Sequence, residues 1–252
     1  MAVLSTGLYA GLAGYYDRFC AEVDYAGQCD YALRAFRAFA SSDGVDYLDL
    51  ACGTGQHLLA MQQRGFVPHG LDNSSAMLAQ TALRCPQARL QLCDLAEFEQ
   101  QDSFDLITCF LYSIHYSHPV ARVQQTLQRC FAALKPGGVL LFNAVDAHGI
   151  QNDEGVTTYL HQGGEALSFR SGWHYRGAGE VLDLHLTITR TVAGDEEQWC
   201  DHHTMTALNF PQLQALLQQI GFEVEVMEHD YSVLLAWSGE SSNAIFVASK
   251  PC

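Results

Sequence analysis

Residues 46–57 read "DYLDLACGTGQH". A short branched, apolar run leads into two glycines one residue apart, and then into helical spacing at Leu58, Leu59 and Met61 that Gly65 stops. A strand that turns into a helix through Gly53 and Gly55 brings backbone N–H groups and a helix N-terminus to one point, with no side chain to hold a ligand off. Outward from this stretch the same alternation recurs. "FVPHGLD" (66–72), "RLQLCD" (89–94), "FDLITCF" (104–110) and "GVLLFNAV" (138–145) read as strands. "NSSAMLAQTALRC", opened by the capping residues Asn73 and Ser74, and "VARVQQTLQRCFAAL" (120–134), ended by Lys135-Pro136-Gly137-Gly138, read as helices. Strand and helix in alternation predict an α/β fold with a doubly wound, mostly parallel sheet.

After residue 145 the pattern changes. In 165–191 two runs flank a Gly177-Ala178-Gly179 turn, and Leu182, Leu184, Leu186 and Ile188 alternate with Asp183, His185, Thr187 and Thr189. Period-two alternation marks half-buried antiparallel strands, and "WCDHHTMTAL" (199–208) continues as a third. A helix over 210–221 and two strands, "FEVEVMEHD" and "NAIFVASK", follow. The expected organisation is one domain over 1–252, with an N-terminal helix or lid segment in 1–40 and an antiparallel β insertion over 151–208.

Composition narrows the function. Of 252 residues, 13 are Lys or Arg and 28 Asp or Glu, for a formal net charge of −15, which argues against a nucleic-acid substrate. Nine scattered cysteines without a CxxC fit reduced thiols in a cytoplasmic protein. No run of 18 apolar residues and no basic leader occurs, so neither a membrane span nor export is expected.

Three carboxylates end successive strands: Asp49, Asp72 and Asp94. At that edge of a doubly wound sheet an acid can accept from ribose hydroxyls, and three together suit a nucleoside site. Leu58 stands where a dinucleotide fingerprint would carry its third glycine, which argues against NAD.

With these residues in view, "LDLACGTGQHL", "GLDNSSAML", "CDLAEF", "FDLITCF" and "LKPGGVLLF" resemble, in order and spacing over about residues 8–145, the motif series of class I S-adenosylmethionine-dependent methyltransferases. That family's fold is the seven-stranded Rossmann-like sheet. More narrowly, "YYDRFCAEVDY" (15–25), "CFLYSIHY" (109–116), the antiparallel insertion and "DHHTMTAL" resemble bacterial small-molecule N-methyltransferases of the amino-sugar type. The resemblance implies that Asp49, Ala51, Gly53 and Gly55 receive the amino-acid part of S-adenosylmethionine. It gives Asp72 the ribose, Asn73 and Met77 the flanks of the adenine, and Asp94 with Leu95 its amino group and ring. Phe110 offers a backbone carbonyl to the cofactor ammonium, and Tyr16 closes over the methionine end.

An amine acceptor must lose a proton before it attacks, so a base is sought near the transfer point. His115 ranks first, Tyr116 second and His203, which the resemblance favours over His202, third; the resemblance also implies Tyr9 near the acceptor. In the amino-sugar family a histidine stands at the position of Tyr116. The polar face of the insertion, His185 and Thr187, is expected to wall the acceptor site. No metal is expected, because sulfonium methyl transfer needs none; Asp201, His203 and His185 are the one conceivable set. The chain thus reads as a methyltransferase acting on a small molecule, at nitrogen, with a homodimer allowed. A small-molecule O- or carboxyl-methyltransferase is the alternative within enzymes, and a non-catalytic S-adenosylmethionine-binding protein the alternative outside them.

Overall fold

The computed structural model describes the backbone of residues 3–4, 13–162 and 164–252, and side chains in 16–161 and 164–252. Tyr9 lies outside the described residues. The chain runs β1 (Val3–Leu4), α1 (Ala13–Phe19), α2 (Tyr25–Phe39), β2 (Asp46–Leu50), α3 (Gln56–Gln63), β3 (Val67–Asp72), α4 (Ser75–Arg84), β4 (Arg89–Leu92), β5 (Phe104–Cys109), α5 (Val120–Ala133) and β6 (Leu134–Val145). It continues through β7 (Val156–Gln162), β8 (Glu165–Tyr175), β9 (Val181–Val192), β10 (Asp195–Thr206), α6 (Phe210–Ile220), β11 (Glu223–Glu228) and β12 (Asn243–Ser249).

The main sheet has seven strands in the order β11-β12-β6-β5-β2-β3-β4. Strands β2 to β6 are parallel, and β12 enters antiparallel between β6 and β11. Alternate residues feed opposite faces. Leu48, Ile107 and Leu140 pack toward α5 and α6, where Val123, Leu127, Leu213 and Leu217 close one core. Tyr47, Leu106 and Leu141 pack toward α2 and α3, with Tyr31, Phe36 and Leu58. The chain leaves β2 to one side through β3 and returns to the other side as β5, so a crevice opens where the order reverses, at the carboxyl ends of β2 and β5.

Three elements differ from the reading of the sequence. The N-terminal segment, read chiefly as one helix, is two, and Asp24 caps the second by accepting from Gly27 N at 2.8 Å. Lys135-Pro136-Gly137-Gly138 does not lie between helix and strand but inside β6, which begins at Leu134. Gly137 takes a left-handed φ of 78° there, and the register against β5 shifts between Phe104 and Leu106. The insertion holds four strands rather than three, because β7 is not legible: it is an edge strand whose exposed positions include Val156 and Tyr159 and whose half-buried ones include Thr158, so its burial does not follow hydrophobicity.

β7 to β10 form an antiparallel meander, and with β1 they make a second sheet in the order β1-β10-β9-β8-β7. Its apolar face, Leu182, Leu184, Leu186 and Ile188, is buried with Phe19, Val145 and Met205. This places the second sheet beside the carboxyl end of β6, next to the crevice.

Candidate active site

The turn after β2 is strained in a way that few side chains tolerate. Ala51 and Gly53 have φ of 54° and 55°, and Gly55, which caps α3, has 83°. A Cβ on Gly53 would stand 4.0 Å from the ring of Tyr16. One on Gly55 would meet the Thr81 methyl at 2.7 Å, so this glycine serves the packing of α3 on α4. After β5 two further non-glycine residues, Leu111 and Tyr112, are left-handed, with φ of 54° and 60°. Such conformations cost about 1–3 kcal/mol each and concentrate at functional sites.

Two cavities share this crevice. The first is lined by Ala51, Gly53, Asp72, Asn73, Met77, Asp94 and Leu95, with Tyr16 and Tyr116 on its other sides. The second lies under the β2 turn, against Asp49, Ala51, Gly53, Phe110 and again Tyr16. Of the residues expected to hold the cofactor, only Gly55 borders neither.

Each of the three acids is held differently. Asp72 accepts from Gly53 N at 2.8 Å through one oxygen and from Ser74 N at 2.8 Å through the other; burial raises its pKa against the lowering effect of these donors. Asp94 accepts from Ala96 N at 2.9 Å and from Arg122 at 2.8 Å, both at Oδ1. Asp49 is the exception. It is 1% exposed, Oδ1 accepts from the Thr108 hydroxyl at 3.0 Å, and Oδ2 has no hydrogen-bond donor among the described residues. Burial pushes its pKa up to about 7.

Beside it stands His57, two residues past the second glycine, which no local sequence pattern marks as a site residue. Its Nε2 meets Gln28 Oε1 at 2.7 Å, so that nitrogen carries the proton and Nδ1 is left as an acceptor 3.9 Å from Asp49 Oδ2. Burial lowers its pKa to about 3, so it is neutral and offers Asp49 no charge. Two acceptors therefore face each other, with no donor to Asp49 Oδ2 among the described residues.

The candidate bases separate. His115 is fully buried; its Nδ1 meets the Thr206 carbonyl at 2.8 Å and its Nε2 accepts from Val145 N at 3.1 Å. Both ring nitrogens are used by the backbone, and burial lowers the pKa to about 4. His115 therefore ties the loop after β5 to β6 and β10 and has no lone pair to present to a substrate, which removes the reason for ranking it first. Tyr116 borders the first cavity, and its hydroxyl meets His203 Nδ1 at 2.6 Å. His203 Nε2 lies 2.9 Å from Asp201 Oδ2. Asp201, His203 and Tyr116 form one hydrogen-bonded chain ending at the cavity.

The face of the insertion that reaches the cavity is its apolar one, through Trp173, Leu184 and Met205. His185 and Thr187 line a separate depression. The expectation that they wall the site fails for a reason of register: His203 pairs with Leu184 and shares its face, whereas His185 pairs with His202 on the other. The same alternation puts Asp201 and His203 on the opposite side of the sheet from His185, so the conceived metal set is never assembled.

Residues 48–138 match the family model described as a methyltransferase domain. The chain is a class I S-adenosylmethionine-dependent methyltransferase. This methyltransferase is 28% identical over 203 residues to dTDP-3-amino-3,6-dideoxy-alpha-D-glucopyranose N,N-dimethyltransferase of Streptomyces fradiae, covering 74% of this chain and 73% of that protein. Its fold is shared with Streptomyces venezuelae DesVI (TM-score 0.82, 22% identity, 96% of this chain and 99% of that one). It is also shared with S-adenosylmethionine-bound CalS10, an amino pentose methyltransferase from Micromonospora echinaspora (TM-score 0.77, 23% identity, 99% of both chains). No helix among the described residues of the methyltransferase is long and apolar enough to cross a membrane.

Proposed function

We propose that the methyltransferase methylates the nitrogen of a small amine of the amino-sugar class, and that the two cavities hold its cofactor, with the acceptor at the Tyr116 end of the first. The residues present suit S-adenosylmethionine. Oδ2 of Asp49, with Nδ1 of His57, would take the ammonium of the amino-acid end, and Gly53 would let the backbone approach it under Tyr16. Asp72 keeps lone pairs for the ribose hydroxyls after its two backbone donors, and Asp94 keeps Oδ2 for the adenine amino group beside Leu95. When bound, the cofactor supplies an activated methyl on a sulfonium.

The observation that carries the nitrogen reading is the lining of the first cavity together with its proton path. Among the described residues the acceptor end of that lining, Tyr116, Ser117, Trp173, Leu184 and Met205, holds no lysine or arginine to pair with a carboxylate, while Tyr116 offers a hydroxyl oxygen to an amine. The network sets the tautomers: His203 Nε2–H donates to Asp201, so Nδ1 accepts from the Tyr116 hydroxyl. An amine that donates to the Tyr116 oxygen can then pass its proton through that hydroxyl to His203, whose cation Asp201 stabilises. Trp173, Leu184 and Met205 exclude water from the same space. The named relatives that act on amino sugars support the same class.

The test is a panel of amino sugars, matched hydroxy sugars and small carboxylic acids, each offered with methyl-labelled S-adenosylmethionine. Label is expected on nitrogen, and Tyr116→Phe is expected to lower kcat by about 10²-fold or more with cofactor affinity within a few-fold. Methylation of the carboxylates or hydroxyls alone overturns the nitrogen reading.

A further inference from the structure

Asp183 is out of place on its strand. It lies on the outer, polar face of β9, yet it is only 8% exposed, while its outer-face neighbours His174, His185, His202 and Thr204 are all exposed. The registers of three strands explain this. His185 pairs directly with His202 on β10, and Asp183 pairs with Thr204 on one side and with His174 on the other. Side chains at i and i+2 share a face, and direct cross-strand neighbours stand about 4.5–5.5 Å apart at Cβ. Three imidazoles therefore gather around one carboxylate that they withdraw from water.

We propose that Asp183, His185 and His202 form a binding site for a divalent transition-metal ion of the zinc type. One donor atom from each lies within 4.8 Å of the others. His202 Nε2 is already 3.0 Å from Asp183 Oδ1, and the His185 and His202 rings sit edge to face with centroids 4.7 Å apart. Donors on a tetrahedral ion are roughly 3.3–3.5 Å apart, from bond lengths of about 2.0–2.2 Å, so modest rotation of two exposed imidazoles closes the set. Two imidazoles and one carboxylate suit zinc, cobalt or nickel and leave a coordination position for water. Across from His185 stands Gly172, so nothing on β8 fills the space that ring needs; His174, with its ring 6.4 Å from that of His185, is placed to add a donor. A net charge of −15 raises the local concentration of any cation.

The site is separate from the cofactor crevice but tied to it through the sheet. Leu184 and His203, the inward neighbours of these ligands, line the cavity and carry the proton chain. An ion on the outer face clamps β9 to β10 behind them.

The experiment uses the full chain without a purification tag. Zinc is titrated by calorimetry, and cobalt(II) by its visible absorption, which reports coordination directly. One ion per chain is expected, with the intense absorption of a low-coordinate cobalt site. His185→Gln and His202→Gln are each expected to weaken binding by about 10-fold or more and to abolish that absorption, since even outer partners of ligands are worth about 10–100-fold. Both side chains are exposed, so the variants retain the fold, which an unchanged unfolding midpoint without metal verifies. The exposed thiols Cys200 and Cys252 are the competing donors, and Cys200→Ser with Cys252→Ser is expected to leave binding unchanged. Absence of stoichiometric binding, or affinity that survives both histidine substitutions, overturns the proposal.

Discussion

Replacing Asp49 by Asn separates the stability of this methyltransferase from its affinity for cofactor. The carboxylate is buried with one oxygen lacking a donor among the described residues, and its pKa stands at about 7 instead of 3.8. At about 1.4 kcal/mol per pH unit, that gap means ionised Asp49 costs the fold about 4 kcal/mol. The folded value is the higher one, so between about pH 4 and pH 7 the native state holds a proton that the unfolded chain has released. Stability therefore falls as pH rises through that window and is level above it. Asn keeps an acceptor for the Thr108 hydroxyl and turns an amide N–H₂ toward His57 Nδ1, without a charge. Urea unfolding of both proteins without cofactor should show Asp49→Asn the more stable at about pH 8, with its advantage growing by about 2–3 kcal/mol from about pH 5. The same variant should bind S-adenosylmethionine about 10- to 150-fold more weakly, the worth of about 1.5–3 kcal/mol for a charged hydrogen bond. Equal pH dependence of stability in the two proteins would refute the raised pKa of the buried carboxylate. A stabilised variant with undiminished affinity would refute its proposed role as the partner of the cofactor ammonium.

Two other perturbations follow from the same geometry. His115→Ala leaves the Thr206 carbonyl and Val145 N without their partner and should cost about 2–5 kcal/mol in urea unfolding; a stable variant that has lost about 10²-fold in turnover would restore His115 as a base. Tyr16 borders both cavities, so residues 13–25 should exchange amide hydrogens more slowly once S-adenosylhomocysteine is bound, and equal exchange with and without it would make α1 ordinary packed structure.

Some of this was legible in the chain alone, and the reason is locality. The turn "ACGTG", the acids Asp49, Asp72 and Asp94 at strand ends, and the alternation of strand with helix are each decided within a few residues. Parallel topology then forces all of those strand ends onto one edge. Leu182, Leu184, Leu186 and Ile188 were legible as a buried face for the same reason, because period-two alternation is imposed by the backbone itself. Tertiary structure decided which of those faces met the site. The polar face of β9 turns away, and no local pattern distinguishes that from the reverse. His115 looked available until Thr206, 91 residues on, and Val145, 30 residues on, claimed its two nitrogens. Tyr116 meets His203 because β10 crosses 87 residues later with that histidine on its inner face. Asp183, His185 and His202 were spaced unremarkably along the chain, and only the pairing of β9 with β10 set them side by side. A histidine's function is set by what fills its two ring nitrogens, and those partners come from strands that sequence proximity does not connect.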